Sequence, residues 1–375
     1  MNIKTAILRF IKKETVFTIA VILGLISCFF VHPDSKYIEY VDFRVLSILF
    51  CLMMLVAGLR QQWIFRRLAE KLTTYVHTSR GLELILVLLP FVSSMIITND
   101  VALITFVPFA LALLKGAGLE NRIIRVIVLQ TIAANLGSML TPIGNPQNLY
   151  LYNLSGMEFG SFLLLMLPLT LISLIMLIII VLISKKAPIT VSFEKADVEI
   201  SKFKLTVIAV LFIICMGTVV RVVPWGISLI CVLIASFIWF RDLFPEVDYF
   251  LLGTFTGFFV FVGNMQRIPA IEKMIGRLLD GHEMICSVLL SQIVSNVPAS
   301  MLLSGFTDNY TALLKGVDIG GLGTLIASMA SLISYKFYAV TKDSKKGKYM
   351  ITFTLWNLLF LAVLILFEVF FSHLI

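Results

Sequence analysis

The sequence predicts an all-α polytopic membrane protein built from inverted repeats, with about nine transmembrane spans, two re-entrant hairpins and two broken helices. Three observations carry this. The 375 residues are 59% hydrophobic and only 14% charged, too little polar surface for a soluble domain of that length. Apolar runs of spanning length recur along the chain. Short polar, helix-breaking clusters interrupt apolar segments at corresponding places in the two halves, which is costly in lipid unless a protected cavity is lined.

Taken in order, continuous apolar runs lie at about 15–31, 43–59, 161–183, 205–220, 226–240, 248–264 and 349–371. Lys4, Arg9, Lys12 and Lys13 precede the first run, as in a signal peptide, and Leu25-Ile26-Ser27-Cys28 resembles a lipoprotein cleavage site. The run continues to Val31 with no small-x-small signal after it, so an uncleaved first span is expected. Two further spans, 121–155 and 311–338, contain breaker clusters: Thr141-Pro142-Ile143-Gly144-Asn145-Pro146-Gln147-Asn148, and Gly320-Gly321-Leu322-Gly323-Thr324.

Segments 82–114 and 284–309 each hold two apolar arms around a polar tip. The tips are Thr98-Asn99-Asp100 and Ser295-Asn296-Val297-Pro298. The arms are short and no charged loop joins them, so each pair reads as a hairpin entering and leaving on one side. Two ordinary helices with a buried turn is the alternative for the first pair.

Placing the N-terminus inside puts most of the 30 Lys and Arg in inner loops, notably 60–80, 115–125, 185–204 and 336–348. The C-terminus then lies outside. Trp225 and Trp239 fall at span ends, as in an aromatic belt.

The chain repeats internally. Val41-Asp42-Phe43 opens a span that is followed by a charged amphipathic stretch, a hairpin, a broken span and a full span; Val247-Asp248-Tyr249 opens the same series. The stretches 62–80 and 267–282 read as helices lying in the interface. An odd number of crossings between the copies makes them inverted. The expected division is a first repeat at 1–183, a linker loop and connecting span at 184–225, and a second repeat at 226–375.

Composition excludes several functions. The net charge of +8 sits mostly in loops, where it sets topology, so no nucleic-acid partner is expected. The five Cys make no CxxC pair and the four His are scattered, so no disulfide framework, cofactor or metal site is expected beyond a bound Na⁺. No phosphate loop and no nucleophile–base pair is present in the apolar segments, which argues against ATP-driven transport and against an enzyme.

The tips and breaks remain. Asn99 and Asn296 both donate and accept, and suit a turn or a ligand. Half-helix N-termini attract anions, while carbonyls freed at the opposite ends suit cations. Asn99, Thr141, Gly144, Asn145, Asn148, Ser295, Asn296, Gly321 and Thr324 are therefore candidate substrate ligands, with Thr324 expected near the start of the second half-helix. Thr98, Asn99, Asp100, Asn145, Asn296 and Asp318 are candidates for a coupling ion. Asp100 and Asp318 are the carboxylates expected within the polar core, with no basic side chain there. Each needs a bound cation, a retained proton or a helix N-terminus to cap.

The residues Thr98-Asn99-Asp100-Val101-Ala102-Leu103, Asn135-Leu136-Gly137-Ser138 with the break that follows, Ser295-Asn296-Val297-Pro298 and Gly320-Gly321-Leu322-Gly323-Thr324 resemble the signatures of the ion-transporter superfamily. That group includes divalent-anion/sodium symporters, citrate transporters, arsenite efflux permeases and one branch of sodium/proton antiporters. Its dicarboxylate members carry Ser-Asn-Thr at both tips, and the third-position hydroxyl is missing twice here. The tips are similar to those of the arsenite and sodium/proton branches, while the helix N-termini at the breaks favour a secondary active transporter of a small anion, either a carboxylate or an inorganic oxyanion. It would be coupled to Na⁺ or H⁺ and work by alternating access, with an elevator-like step. A sodium/proton antiporter using Asp100, or an arsenite efflux permease, is the alternative. A homodimer in a bacterial or archaeal inner membrane is implied as well.

Overall fold

The computed structural model describes residues 5, 10–11, 14–189, 200–342 and 344–371. The amino-terminal cations Lys4, Arg9, Lys12 and Lys13, part of the linker at 190–199, and His373 lie outside them. The described residues are helical, with no strand beyond one isolated bridge.

The first helix, α1 (Thr15–Phe30), is followed by α2 (Phe43–Gln61), α3 (Ile64–Thr73), α4 (Ser79–Ser93), α5 (Asn99–Gly116), α6 (Ile123–Ser138), α7 (Pro146–Ser155) and α8 (Phe159–Leu182). Two connecting helices come next, α9 (Lys202–Val219) and α10 (Trp225–Trp239). The series α2–α8 then recurs as α11 (Tyr249–Gln266), α12 (Pro269–Leu279), α13 (Glu283–Val294), α14 (Asn296–Ser304), α15 (Tyr310–Gly320), α16 (Met329–Ala339) and α17 (Lys346–Phe371). The protein is thus an all-α polytopic membrane protein. By length and apolarity alone, α2, α5, α8, α9 and α17 are each able to cross a membrane.

Equivalent helices start the same way. Asp42 and Asp248 both cap their helix, each accepting a bond of 2.9 Å from the backbone N–H three residues on. Proline also opens two helices that are not counterparts, α7 at Pro146 and α12 at Pro269, where a missing N–H costs nothing. Trp225 and Trp239 are the first and last residues of α10.

The two copies run in opposite directions. The end of α2 meets the start of α11, through an Arg60–Glu246 ion pair. The start of α2 lies beside the end of α11, where Tyr40 packs against Gly263 and bonds Arg267. Hereafter these are the Arg60 end and the Asp42 end. Hairpin α4–α5 enters from the Arg60 end, with α5 forming a groove with Arg60 and α3. Hairpin α13–α14 enters from the Asp42 end, where Gln266 reaches Gly305. Although α5 has spanning length, its first residue sits at the buried centre against Gly144, so α4–α5 is a hairpin and not a pair of spans.

The helices sort into two groups. Around α2 and α11 stand α1, α9 and α10. The small residues Ala20 and Gly24 of α1 let its backbone approach Gly257 of α11. The other group comprises both hairpins and both broken helices, with α8 and α17 packed on α6. Buried Glu83 of α4 pairs with Arg122 (3.0 Å) and Arg125 (2.9 Å), tying the first hairpin to the start of α6.

Candidate functional site

Each tip is joined to its own break in the same way. The Asn99 N–H donates to Gly144 O (3.2 Å), and the Asn296 N–H donates to Ala327 O (3.0 Å). Each Asn side-chain oxygen then accepts from the next backbone N–H, Asp100 at 2.9 Å and Val297 at 3.0 Å. The breaks are also tied to the first arm of each hairpin. Thr141 donates to Met95 O (2.6 Å) and Thr324 to Gln292 O (3.1 Å). Close packing explains the glycines. A Cβ at Gly137 would lie 2.0 Å from Phe91 O, and one at Gly320 would crowd Val288 and Ser291.

The two halves meet at Asn135 of α6. Its Oδ1 accepts from Asn99 Nδ2 (2.8 Å) and from Ser328 Oγ (3.0 Å). One buried carboxamide therefore links the first tip to the cap of α16. The reciprocal link runs through Asp318 of α15, whose Oδ1 accepts from Gln147 Nε2 (3.0 Å) at the start of α7. Asn135 and Asp318 are counterparts, each ten residues before the cap of its second half-helix.

A cavity of about 270 Å³ lies at this junction and leads toward the Arg60 end. Thr98 and Asp100 of the first tip line it, as do Asn145 and Pro146 at the start of α7 and Met329 at the start of α16. Two half-helix N-termini, one from each copy, thus reach one chamber. Both carry positive partial charge. Asp100 is half-buried, and among the described residues nothing bonds its carboxylate. Glu246 and Asp248 line the same chamber, with Arg60 as its one cation.

Bonds behind this chamber hold the Asn145 side chain and the remaining candidates. Asn145 Nδ2 donates to Ser138 (2.7 Å), and Asn148 Nδ2 faces the Ser138, Met139 and Thr141 carbonyls at 3.4 Å. Gly144 packs on Ser138 and Gly321 against the Asn296 amide. Ser295 has φ +78° and ψ 156°, a region nearly reserved for Gly. Such a residue costs on the order of 1–3 kcal/mol and clusters at functional sites.

Three expectations need correcting. The second half-helix begins at Met329 with Ser328 as its cap, so Thr324 is not near its start; Thr324 is exposed and fastens the break to α13. Asp318 caps no helix, because it lies in the last turn of α15, buried, with its Oδ2 unpartnered. Asp100 is not the one carboxylate at the chamber, since Glu246 and Asp248 line it as well. Lys315, on the helix of Asp318, is a basic residue in this region, but its ammonium bonds Glu368 at 2.8 Å.

Asn135, Ser328 and Gln147 were not among the sequence candidates. Asn135 lay within a quoted signature, which is the signal that points to it. Ser328 follows an inconspicuous Ile326-Ala327, and nothing local marks it.

The comparisons with known proteins agree with this architecture. The chain is 28% identical to inner membrane protein YbiR of Escherichia coli K12 over 341 residues, covering 88% of this chain and 89% of that one. It is 30% identical to an uncharacterized transporter of Methanocaldococcus jannaschii over 325 residues, 85% of this chain and 87% of the other. A shorter match, 32% over 153 residues, covers 40% of this chain and 31% of a silicon efflux transporter of Oryza sativa. The citrate transporter family profile matches residues 6–319. The chain belongs to the citrate transporter family of membrane transporters.

Proposed function

We propose that this chain is a secondary transporter of a small carboxylate or inorganic oxyanion, driven by an H⁺ or Na⁺ gradient through alternating access. The observation that carries this is the pair of half-helix N-termini, at Pro146 and Met329, lining one chamber beside the Asn99 tip. Positive helix ends favour an anion without a buried Lys or Arg. Glu246, Asp248 and Asp100 in the same chamber repel a bare polyanion, so a proton or Na⁺ must enter with it. Asp100 is the nearest carboxylate to carry that charge. By the distribution of Lys and Arg, the Arg60 end faces the cytoplasm, and the chamber is then the cytoplasmic route to the site. The likeness to a silicon efflux transporter supports including inorganic oxyacids among the solutes.

The acidic lining favours one second reading, cation/proton exchange at Asp100. Proteoliposome uptake separates the two. Citrate, succinate, phosphate, sulfate and arsenite are each offered with an H⁺ gradient, a Na⁺ gradient or neither. Gradient-driven uptake of one anion is expected, and Asp100→Asn should abolish its dependence on the gradient. Uptake of none, with Na⁺/H⁺ exchange lost in Asp100→Asn, would establish the second reading.

A further inference from the structure

The molecule has a second cavity, of about 390 Å³, at the Asp42 end. Its lining is the repeat counterpart of the first. Where the first is lined by Leu52, Val56 and Arg60 of α2, the second is lined by Phe258, Val262 and Gln266 of α11. Ile333 of α16 corresponds to Tyr150 of α7, and Asp248 to Asp42. Yet only the first reaches a tip. The second is lined by Met301 and Ser304 of the α14 arm and not by Asn296.

The Asp42 end is fastened shut by bonds between the two helix groups. Asp42 Oδ2 accepts from Asn153 Nδ2 at 2.6 Å. Gln266 Nε2 donates to Gly305 O at 2.5 Å. The Tyr150 ring packs across on Phe255 and Phe259, with centroids 6.0 and 5.7 Å apart, held there by a 2.7 Å bond from its hydroxyl to Ser304 of its own group. The counterparts at the Arg60 end make none of these contacts. Arg60 pairs with Glu246, and Asp248 bonds only the Leu251 N–H. Asn153 is the eighth residue of α7, and the eighth of α16 is Lys336. Lys336 is exposed and has no partner among the described residues.

We infer that when the Arg60 end closes and the Asp42 end opens, Asp248 and Lys336 form an ion-pair latch that replaces the Asp42–Asn153 bond. This rests on the alternating-access reading above. The two copies take each other's arrangement in the opposite state, so the contact Asp42 makes with the eighth residue of α7 passes to Asp248 and the eighth residue of α16. The latches differ in chemistry. One is a carboxylate–amide bond, and the other is a charge pair that salt weakens. Arg60, Glu246 and Asp100 are the other charges on that cavity, and Glu246 already engages Arg60.

The test uses the full chain with its five Cys replaced by Ala and Met301→Cys as reporter, read by labelling with an impermeant maleimide from the Asp42 side. Lys336→Asp and Asp248→Lys should each lower the labelling rate about fivefold, the population change expected of one partly exposed ion pair. The double exchange, Asp248→Lys with Lys336→Asp, should label faster than either single variant, short of full recovery because the α11 cap on the Leu251 N–H is lost. Asn153→Ala, which breaks the same bond and leaves the Asp42 cap of α2 in place, should raise the rate, which separates latch loss from general destabilisation. Single variants that label like the parent, or a double exchange as slow as the singles, would overturn the latch. If Asn153→Ala also left labelling unchanged and transport were absent throughout, the alternating-access reading itself would fail.

Discussion

Replacing Asn135 by Ala tests the junction between the two repeats. The side chain is buried, and its Oδ1 is the acceptor for both the Asn99 amide (2.8 Å) and the Ser328 hydroxyl (3.0 Å). Those donors are themselves 4% and 1% exposed, so water cannot replace the lost acceptor. Each stranded donor costs about 1–3 kcal/mol, so Asn135→Ala should cost roughly 2–6 kcal/mol. Asn135→Asp is the control. It keeps both acceptor bonds, gives up the weak 3.5 Å contact to Ser331 and adds a buried carboxyl like that of Asp318 at the equivalent position, so it falls between the parent and the Ala variant. Thermal or denaturant unfolding in detergent reads stability, and proteoliposome uptake reads function. Asn135→Ala should be strongly destabilised and inactive, with Asn135→Asp intermediate in stability. An Ala variant within about 0.5 kcal/mol of the parent, the range of a neutral surface change, would refute the role given to this residue.

Three further outcomes follow from the same geometry. Asp318→Asn retains the Gln147 bond and removes a buried charge with an unpartnered oxygen, so it should raise the melting temperature while altering the ion dependence of uptake; a lower melting temperature would contradict that reading. Glu83→Ala removes the carboxylate that Arg122 and Arg125 share, leaving them their bonds to the Lys185 and Ile180 carbonyls, and should cost about 1–3 kcal/mol, measured by unfolding. Arg267 donates to the exposed Asp34 carboxylate and holds it below the ordinary carboxylate value. A depressed folded value means that this tie acts above the unfolded value, near pH 4, and is lost as the pH falls through the folded one. The protection of amides in residues 31–41, taken against the intrinsic exchange rate at each pH, should therefore fall below pH 4 and show no such step in Asp34→Asn.

Hairpins and breaks were legible because lipid makes them expensive. Asn99-Asp100, Pro142 to Pro146 and the Gly320 cluster interrupt runs that would otherwise be uniformly apolar, and each marks a real bend. Asp42 and Asp248 were legible as the same opening in two copies. What escaped was set by contacts between distant parts of the chain. Asn135 sits inside a regular helix, with no breaker beside it, and its partner Ser328 is 193 residues away. The start of α16 was displaced because Gly320 to Gly323 look like the whole break, whereas the unwound segment continues to Ser328. Those glycines serve close packing against α13 as much as unwinding. Nothing in the sequence pairs Glu83 with Arg122 and Arg125, or Glu368 with Lys315; only folding brings them together.

The central claim is one binding site assembled from both repeats. Gradient-driven uptake by Asn99→Ala, Asn296→Ala and the double variant tests it most directly, with unfolding used to confirm that each protein is intact. A single shared site predicts that either substitution alone removes most of the transport and that the double variant is scarcely worse than either. Two half-active single variants whose losses simply multiply in the double would mean two separate sites, and would contradict the account.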